Sequence, residues 1–299
     1  MATVGDPVAL AEAHWGLQFK KKTTREWCAP CPKCGGVDRF LLFADGGFWC
    51  RQCGYRGWID ALDGARQPSR EEILEARIRR LERLAEEHER RLSALEKMHR
   101  CQDHLRYHQL LTDQALEYWL GEGITQDSIN RYLLGYCPRC PTDKEHRPSY
   151  TIPVINDGLL WNIRHRLVNA SNGDKYRPHM AGLGNQLFNA DFLKSATEIV
   201  VVEGAKKSIV LDQNGLPSVA IMGQRAFKRE WLESFAPLQT VYIALDPDAA
   251  ESARRLGKVF GEKARIMNLP VKPDDFFFRY GGTVDDFAAF MKIARRVAT

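Results

Sequence analysis

Two runs of apolar, largely β-branched residues stand out in the second half of the chain, and each stops at an acid. Ile199-Val200-Val201-Val202 leads into Glu203-Gly204, and Val241-Tyr242-Ile243-Ala244-Leu245 leads into Asp246-Pro247-Asp248. Continuous apolar runs of this length predict strands buried on both faces, as in a parallel sheet. About forty residues separate them, enough for a crossover helix and an intervening strand. Upstream the period changes. Leu74, Ile78, Leu81, Ala85, His88, Leu92, Leu95 and His99 recur in alternating steps of four and three, a heptad stripe. Ser69 with Glu72 opens this segment as a capping box, and Glu75/Arg79, Glu86/Arg90, Glu87/Arg91 and Glu96/Arg100 are favourably ordered pairs four apart. The pattern predicts one helix of about 30 residues and about 45 Å. It fits best a spacer that packs on the body of the protein, with a coiled-coil arm as the other reading. Shorter helices are predicted after the caps Thr112 and Thr125, and a hairpin over Tyr150–Ile155 and Leu160–Val168 around Asn156-Asp157-Gly158.

Composition sharpens the picture in two places. The chain has 299 residues, long enough for two or more domains, and a net charge of +5, a mild basicity compatible with a nucleic-acid partner. No apolar run approaches the roughly 18 residues of a membrane span, and the start shows no secretory pattern, so a cytoplasmic protein with no membrane partner is expected. Eight cysteines in such a protein point to metal or free thiols rather than to disulfides.

Five of those cysteines lie between Cys28 and Cys53. Cys31-Pro32-Lys33-Cys34 and Cys50-Arg51-Gln52-Cys53 form C-x₂-C-x₁₅-C-x₂-C, the spacing of two metal knuckles that complete a closed tetrahedral zinc site. Cys28 offers a competing first pair with Cys31, but Gly35-Gly36 directly after Cys34 favours the Cys31/Cys34 knuckle. Arg39–Phe43 and Gly47–Trp49, on either side of an Asp45-Gly46-Gly47 turn, are the strands of a small β zinc ribbon. Trp49, Arg51, Tyr55, Arg56 and Trp58 interleave cations with aromatics, the composition of a surface that stacks on single-stranded bases. A second pair, Cys137 and Cys140, has no partner pair; it reads as free thiols, or as half of a site with Cys101, His104, His108 or His146.

At the sheet edge the chemistry is acidic. Ligands of open parallel sheets gather beyond the carboxyl ends of the strands. Glu203, Asp246 and Asp248 would converge there, and carboxylates so close repel unless a hard cation such as Mg²⁺ or Mn²⁺ neutralises them. Arg164 and Arg166 share one face of the second hairpin strand and, with Lys175 and Arg177, form a basic ridge suited to phosphates.

These pieces, in this order, resemble the DnaG-type primases of bacteria, phages and plasmids. Cys31-Pro32-Lys33-Cys34-Gly35-Gly36-Val37-Asp38-Arg39-Phe40 resembles the opening of phage and plasmid primase zinc domains. Leu111–Tyr118, Gly123-Ile124-Thr125 and Leu134-Gly135-Tyr136 are similar to the start of the primase polymerase core, and Asp174-Lys175-Tyr176 with Leu187-Phe188-Asn189 to its basic subdomain. Val201-Val202-Glu203-Gly204 and Leu245-Asp246-Pro247-Asp248 resemble the two halves of the Toprim motif. The resemblance implies that Glu203, Asp246 and Asp248 hold the catalytic Mg²⁺ or Mn²⁺, with Asp274 of Lys272-Pro273-Asp274-Asp275 as a further acid on the metal side. Two positions depart from the family: Lys207 stands where many primases carry an Asp four residues after the Glu, and the first Asp of the later acidic motif is missing.

The expected protein is therefore a multidomain α+β chain: a template-binding ribbon over 1–64, a charged helical linker over 65–100, the first part of a mixed α/β primase core over 101–196, and a Rossmann-like, parallel-sheet Toprim subdomain with C-terminal helices over 197–299. It would synthesise short RNA primers on single-stranded DNA from ribonucleoside triphosphates, with one structural zinc and catalytic Mg²⁺ or Mn²⁺, in a bacterial or phage-infected cell. Expected nucleic-acid and nucleotide contacts are Arg39, Trp49, Arg51 and Arg56 in the ribbon and Arg164, Arg166, Lys175, Tyr176, Lys206 and Lys207 in the core. The chain carries no phosphate-binding GxxxxGK[ST] loop, so a separate replicative helicase is the expected partner. A Toprim nuclease and a non-catalytic zinc-ribbon scaffold for a helicase are the other readings.

Overall fold

The computed structural model describes residues 6–59, 69–170, 175–223 and 226–296, and these form two compact units that divide at Arg90/Arg91. The stretch 60–68 and Asp174, quoted above, lie outside the described residues.

In the first unit, α1 (Pro7–Trp15) starts at Asp6, whose carboxylate accepts from the Val8 and Ala9 amides, and ends at Gly16 in the left-handed conformation. Five antiparallel strands follow in a meander: β1 (Lys20–Lys21), β2 (Glu26–Cys31), β3 (Gly35–Phe43), β4 (Gly47–Cys50) and β5 (Arg56–Trp58). Their core is aromatic. Phe40 and Phe48 pack against Trp15, Phe19 and Tyr55, with Val8 and Ala11 of α1 closing one side. The long helix α2 (Arg70–Arg100) opens with the Ser69/Glu72 capping box, with hydrogen bonds of 2.7 and 3.2 Å. Its heptad stripe is not what packs here: Leu74, Ile78 and Leu81 are exposed. The contacting face is instead Ala76, which is buried, with Arg80 and Arg83, which reach Asp6 and Glu12 of the α1 segment at 2.6 and 2.8 Å. A small residue at the contact lets the helices approach, and the two arginines carry the recognition.

The second unit begins within α2, where Leu95 and Met98 join a small core. Next come α3 (Asp103–Gln109), α4 (Asp113–Gly121) and α5 (Gln126–Arg131). Thr112 and Thr125 cap the last two by accepting from the Ala115 and Ser128 amides. An antiparallel sheet then forms from β6 (Gly135–Cys137), β7 (Ser149–Asn156), β8 (Leu159–Leu167) and β9 (Tyr176–Pro178), in sequential order. Asp157 and Gly158 both take positive φ, the two-residue turn that matches strand twist.

The last part is a parallel sheet. Strand β10 (Glu198–Glu203), helix α6 (Ala205–Gln213), β11 (Ser218–Ile221), β12 (Thr240–Ile243), α7 (Ala250–Phe260) and β13 (Ala264–Ile266) give the strand order β11-β10-β12-β13, with α8 (Pro273–Phe278) and α9 (Val284–Lys292) behind. Alternate residues of β10 serve two cores: Val200 and Val202 face the one that includes Ile209 and Val210 of α6, while Ile199 and Val201 face the one that includes Leu256 and Phe260 of α7. That double burial is why these runs are unbroken in apolar residues. Because β10 pairs with β11 and β12 in parallel, Glu203 and Asp246 emerge at the same sheet edge.

Candidate active site and metal centre

The cysteine cluster is built locally. Cys31 closes β2, Cys34 precedes Gly35 and Gly36 at φ 68° and 90°, and Cys50 ends β4 with Cys53 in the following turn. The four sulfurs lie within 4.8 Å of one another, with Cys31–Cys53 at 3.7 Å and Cys34–Cys50 at 3.5 Å. Those edges match a tetrahedron of thiolates about 2.3 Å from one ion. The electrostatics agree. Desolvation and hydrogen bonds to the other three thiols push Cys34 up to about 12. Burial also works against the Cys50 anion, but the Cys53 and Gln52 amides outweigh it and bring Cys50 down to about 6. Cys34 and Cys50 thus favour charge on one at the expense of the other, and a dication would relieve that competition. Cys28 lies elsewhere. It shares a cross-strand row with Leu41 and Trp49, one residue out of phase with the row of Ala29, Phe40 and Cys50, so it points to the opposite face.

On that face, Trp49 pairs with Arg56 across β4 and β5, and Trp58 stands two residues on; all three are exposed. Arg51 is engaged with Asp38, donating to its carbonyl at 2.9 Å, and Arg39 lies against Gly36.

At the edge of the parallel sheet, Glu203 and Asp246 line one cavity of about 250 Å³ with Arg164, Tyr176, Lys206, Lys207 and Met222. Gly204, at φ 86°, turns the chain from β10 into α6 and puts both lysines in the helix's first turn. They diverge. Lys206 bridges Glu122 at 2.6 Å and the buried Asp274 at 2.7 Å. Burial disfavours the Lys206 cation, yet Asp274 and Glu122 outweigh it and raise its pKa; burial likewise opposes the Asp274 anion, and Lys206 holds it below the usual carboxylate range. Lys207 meets Asp246 at 2.9 Å and donates to the Glu203 carbonyl at 3.0 Å. Arg164, half-buried, has its pKa lowered by that burial and lies by Tyr176, with its cation 5.9 Å from the ring.

The remaining expected residues sit around this cavity rather than in it. Asp248 is exposed on a 3₁₀ turn after Asp246 and does not line the cavity. Arg166 packs its guanidinium on Tyr118 at 5.1 Å, and Lys175 is exposed. Glu122, which anchors Lys206, carried no signal in the sequence; an acid between two glycines in an interhelical turn looks like any solvated charge. A buried polar chain was also missed: Ser149 Oγ, His165, His179 and Asp103 are linked at 2.9, 3.1 and 3.2 Å. Burial, then His179, brings His165 down to about 3. Cys101 lies beside Asp103 and His179, whereas His108 and His146 bond to backbone carbonyls. Among the described residues, Cys137 and Cys140 join no such group.

The ribbon's donor set, four soft thiols, fits zinc; at the sheet edge Glu203 and Asp246 offer hard carboxylate oxygens, and among the described residues no group of three carboxylates gathers there. No protein-family model and no curated protein matches the chain. Solved structures do. The chain is similar to the Aquifex aeolicus primase (zinc-binding and RNA polymerase domains) over 98% of its length and 84% of that chain, at TM-score 0.54 and 19% identity. It is similar to a DnaG primase catalytic domain bound to ssDNA, covering 71% and 84% at TM-score 0.52 and 18% identity. The E. coli primase catalytic core is matched over 65% and 78%, also at TM-score 0.52 and 18% identity. The chain thus has the fold of DnaG-type primase zinc-binding and catalytic-core domains. Among the described residues, no helix is long and apolar enough to cross a membrane.

Proposed function

We propose that this chain, which shares the primase fold, is a DNA-dependent RNA primase that makes short primers on single-stranded DNA in the bacterial cytoplasm, serving a separate replicative helicase. The observation that carries the reading is the shared cavity: two carboxylates at the ends of neighbouring parallel strands line about 250 Å³ together with Arg164, Tyr176 and Lys207. Glu203 and Asp246 would hold Mg²⁺ or Mn²⁺, with the exposed Asp248 and the buried Asp274 flanking them. When bound, the ion would offset the negative charge that develops on a nucleotide's phosphates. Every other part belongs to the protein. Arg164 is half-withdrawn from water, so a phosphate reaching the cavity meets a cation that gives up little hydration to bind it. Lys175 and Tyr176, exposed at the start of β9, offer a cation and a stacking ring to template or nucleotide. No side-chain nucleophile is needed, because a ribose 3′-hydroxyl attacks the α-phosphorus and pyrophosphate leaves. The four cysteines would hold one structural zinc, and the Trp49–Arg56–Trp58 face would stack on template bases.

The test is direct. Supplied with single-stranded templates, ribonucleotides and Mg²⁺, the protein should yield short RNA, with loss in Glu203→Gln. Degradation of the template without nucleotides would make it a nuclease instead. If neither product forms while DNA still binds, a scaffold remains.

A further inference from the structure

Lys207 occupies an unusual place for a lysine. Its ammonium lies 2.9 Å from Asp246 Oδ1, 3.3 Å from Oδ2, and 3.0 Å from the Glu203 carbonyl oxygen. Three oxygens from two strand ends surround one nitrogen, much as oxygens surround a hard cation. Both side chains are 13% exposed, so the pair is held where water screens it little. Helix geometry fixes this arrangement. Lys207 lies in the first turn of α6, and helical side chains lean toward the N-terminus, which brings the ammonium back over the strand end it follows. Lys206 cannot exchange roles with it, because Glu122 and Asp274 hold it on the other side. Lys272, at 3.9 Å from Asp246, adds a more distant and exposed positive charge.

We propose that Lys207 is a tethered cation that fills one cation position at this carboxylate site, so that the site takes a single divalent ion per chain. Asp246 is already neutralised before any metal arrives. A dication arriving at this edge finds Asp246 already paired, and a second dication would have to displace an ammonium that is covalently present at high local concentration. The consequence is a site of low metal stoichiometry and modest affinity, whose remaining positive charge comes from the protein. This inference rests on the reading of the cavity as a metal-dependent nucleotidyl-transfer site, but its test does not depend on primer synthesis.

The experiment is a Mn²⁺ titration of the zinc-loaded full chain, followed by electron paramagnetic resonance of free Mn²⁺, with Glu203→Gln as the subtraction control and circular dichroism to verify folding. Wild type should bind one Glu203-dependent Mn²⁺. Lys207→Met should bind a second, or bind the first at least about tenfold more tightly, as expected on removing a like charge at contact distance. Lys207→Arg, which keeps the charge, should behave as wild type. Two Glu203-dependent ions in the wild type overturn the proposal even if Lys207→Met does not fold. So does a folded Lys207→Met whose number and affinity of ions equal those of the wild type, or a wild type that binds none. Wild type that makes RNA while the Lys207 variants bind Mn²⁺ unchanged sinks this inference alone. A shifted Mn²⁺ isotherm in a protein that makes no RNA sinks only the primase reading.

Discussion

The two metal-type sites of this protein solve opposite electrostatic problems. In the ribbon, four sulfurs crowd together with one guanidinium, Arg39, hydrogen-bonded to Cys34, and a bound dication would let them ionise together. At the parallel-sheet edge, Glu203 and Asp246 line one cavity with lysine already at hand: Lys207 on Asp246, and Lys206 on Asp274 and Glu122. In the first arrangement a bound ion would supply the missing positive charge. In the second, lysines already supply part of it. Chain connectivity explains part of the contrast. Both knuckles lie within 23 residues of a small antiparallel sheet packed on its own aromatic core, whereas the acids cap strands buried on both faces.

The largest expected effect comes from removing a sulfur. Structural zinc contributes on the order of 10 kcal/mol to small domains, so Cys50→Ser should release zinc and unfold the ribbon sheet, seen as lost zinc absorption and proteolysis of the first unit. The second unit should keep its melting transition, since the two are separate compact bodies. Next in size is Asp246→Asn. Losing one preorganised charge should cut primer synthesis by about a hundredfold or more while the melting temperature falls little, because Lys207 retains the Glu203 carbonyl. A collapse of stability instead would mean that the acids are structural and the contrast is false. Asp274→Asn should be intermediate, costing about 2 kcal/mol, the scale of a charged hydrogen bond, with Lys206 still held by Glu122. The sign of its pH dependence follows from the lowered folded pKa. Wild type carries this contribution above the usual carboxylate value of 3.8 and loses it as pH falls below, whereas Asp274→Asn should lack that acid-dependent component in urea titrations at successive pH values. The smallest effect is expected for Cys28→Ser. On the face away from the cluster, it should leave zinc content unchanged and stability within about 1 kcal/mol.

Much of the fold was legible in the linear pattern for a physical reason that these sites share. The knuckle spacing, the Ser69/Glu72 box, the Thr112 and Thr125 caps and the Asp157-Gly158 turn are all settled between residues a few positions apart. Doubly buried strands likewise show themselves, because each residue must be apolar regardless of its neighbours. The short α1 was not legible: its nine residues have almost no amphipathic period, and it is held by the aromatic core of the ribbon. The stripe along α2 was legible only in part: Leu95 joins a core in the second unit, while Leu74, Ile78 and Leu81 stay exposed. Heptad spacing marks a face able to pack, but Arg80 and Arg83 found carboxylates on α1 and turned a different face inward.

By itself, then, the sequence determined the two knuckles, the parallel strands and which acids end them, since local spacing and uniform burial leave their mark residue by residue. Only the tertiary structure decided the partners of the charges. It sent Lys206 to Glu122 and Asp274, and Lys207 to Asp246, and it left Asp248 outside the cavity. Two adjacent lysines are indistinguishable in a string of letters. They differ by a rotation of about 100° around a helix axis, and that rotation has meaning only once strand ends and a buried aspartate are in place around it.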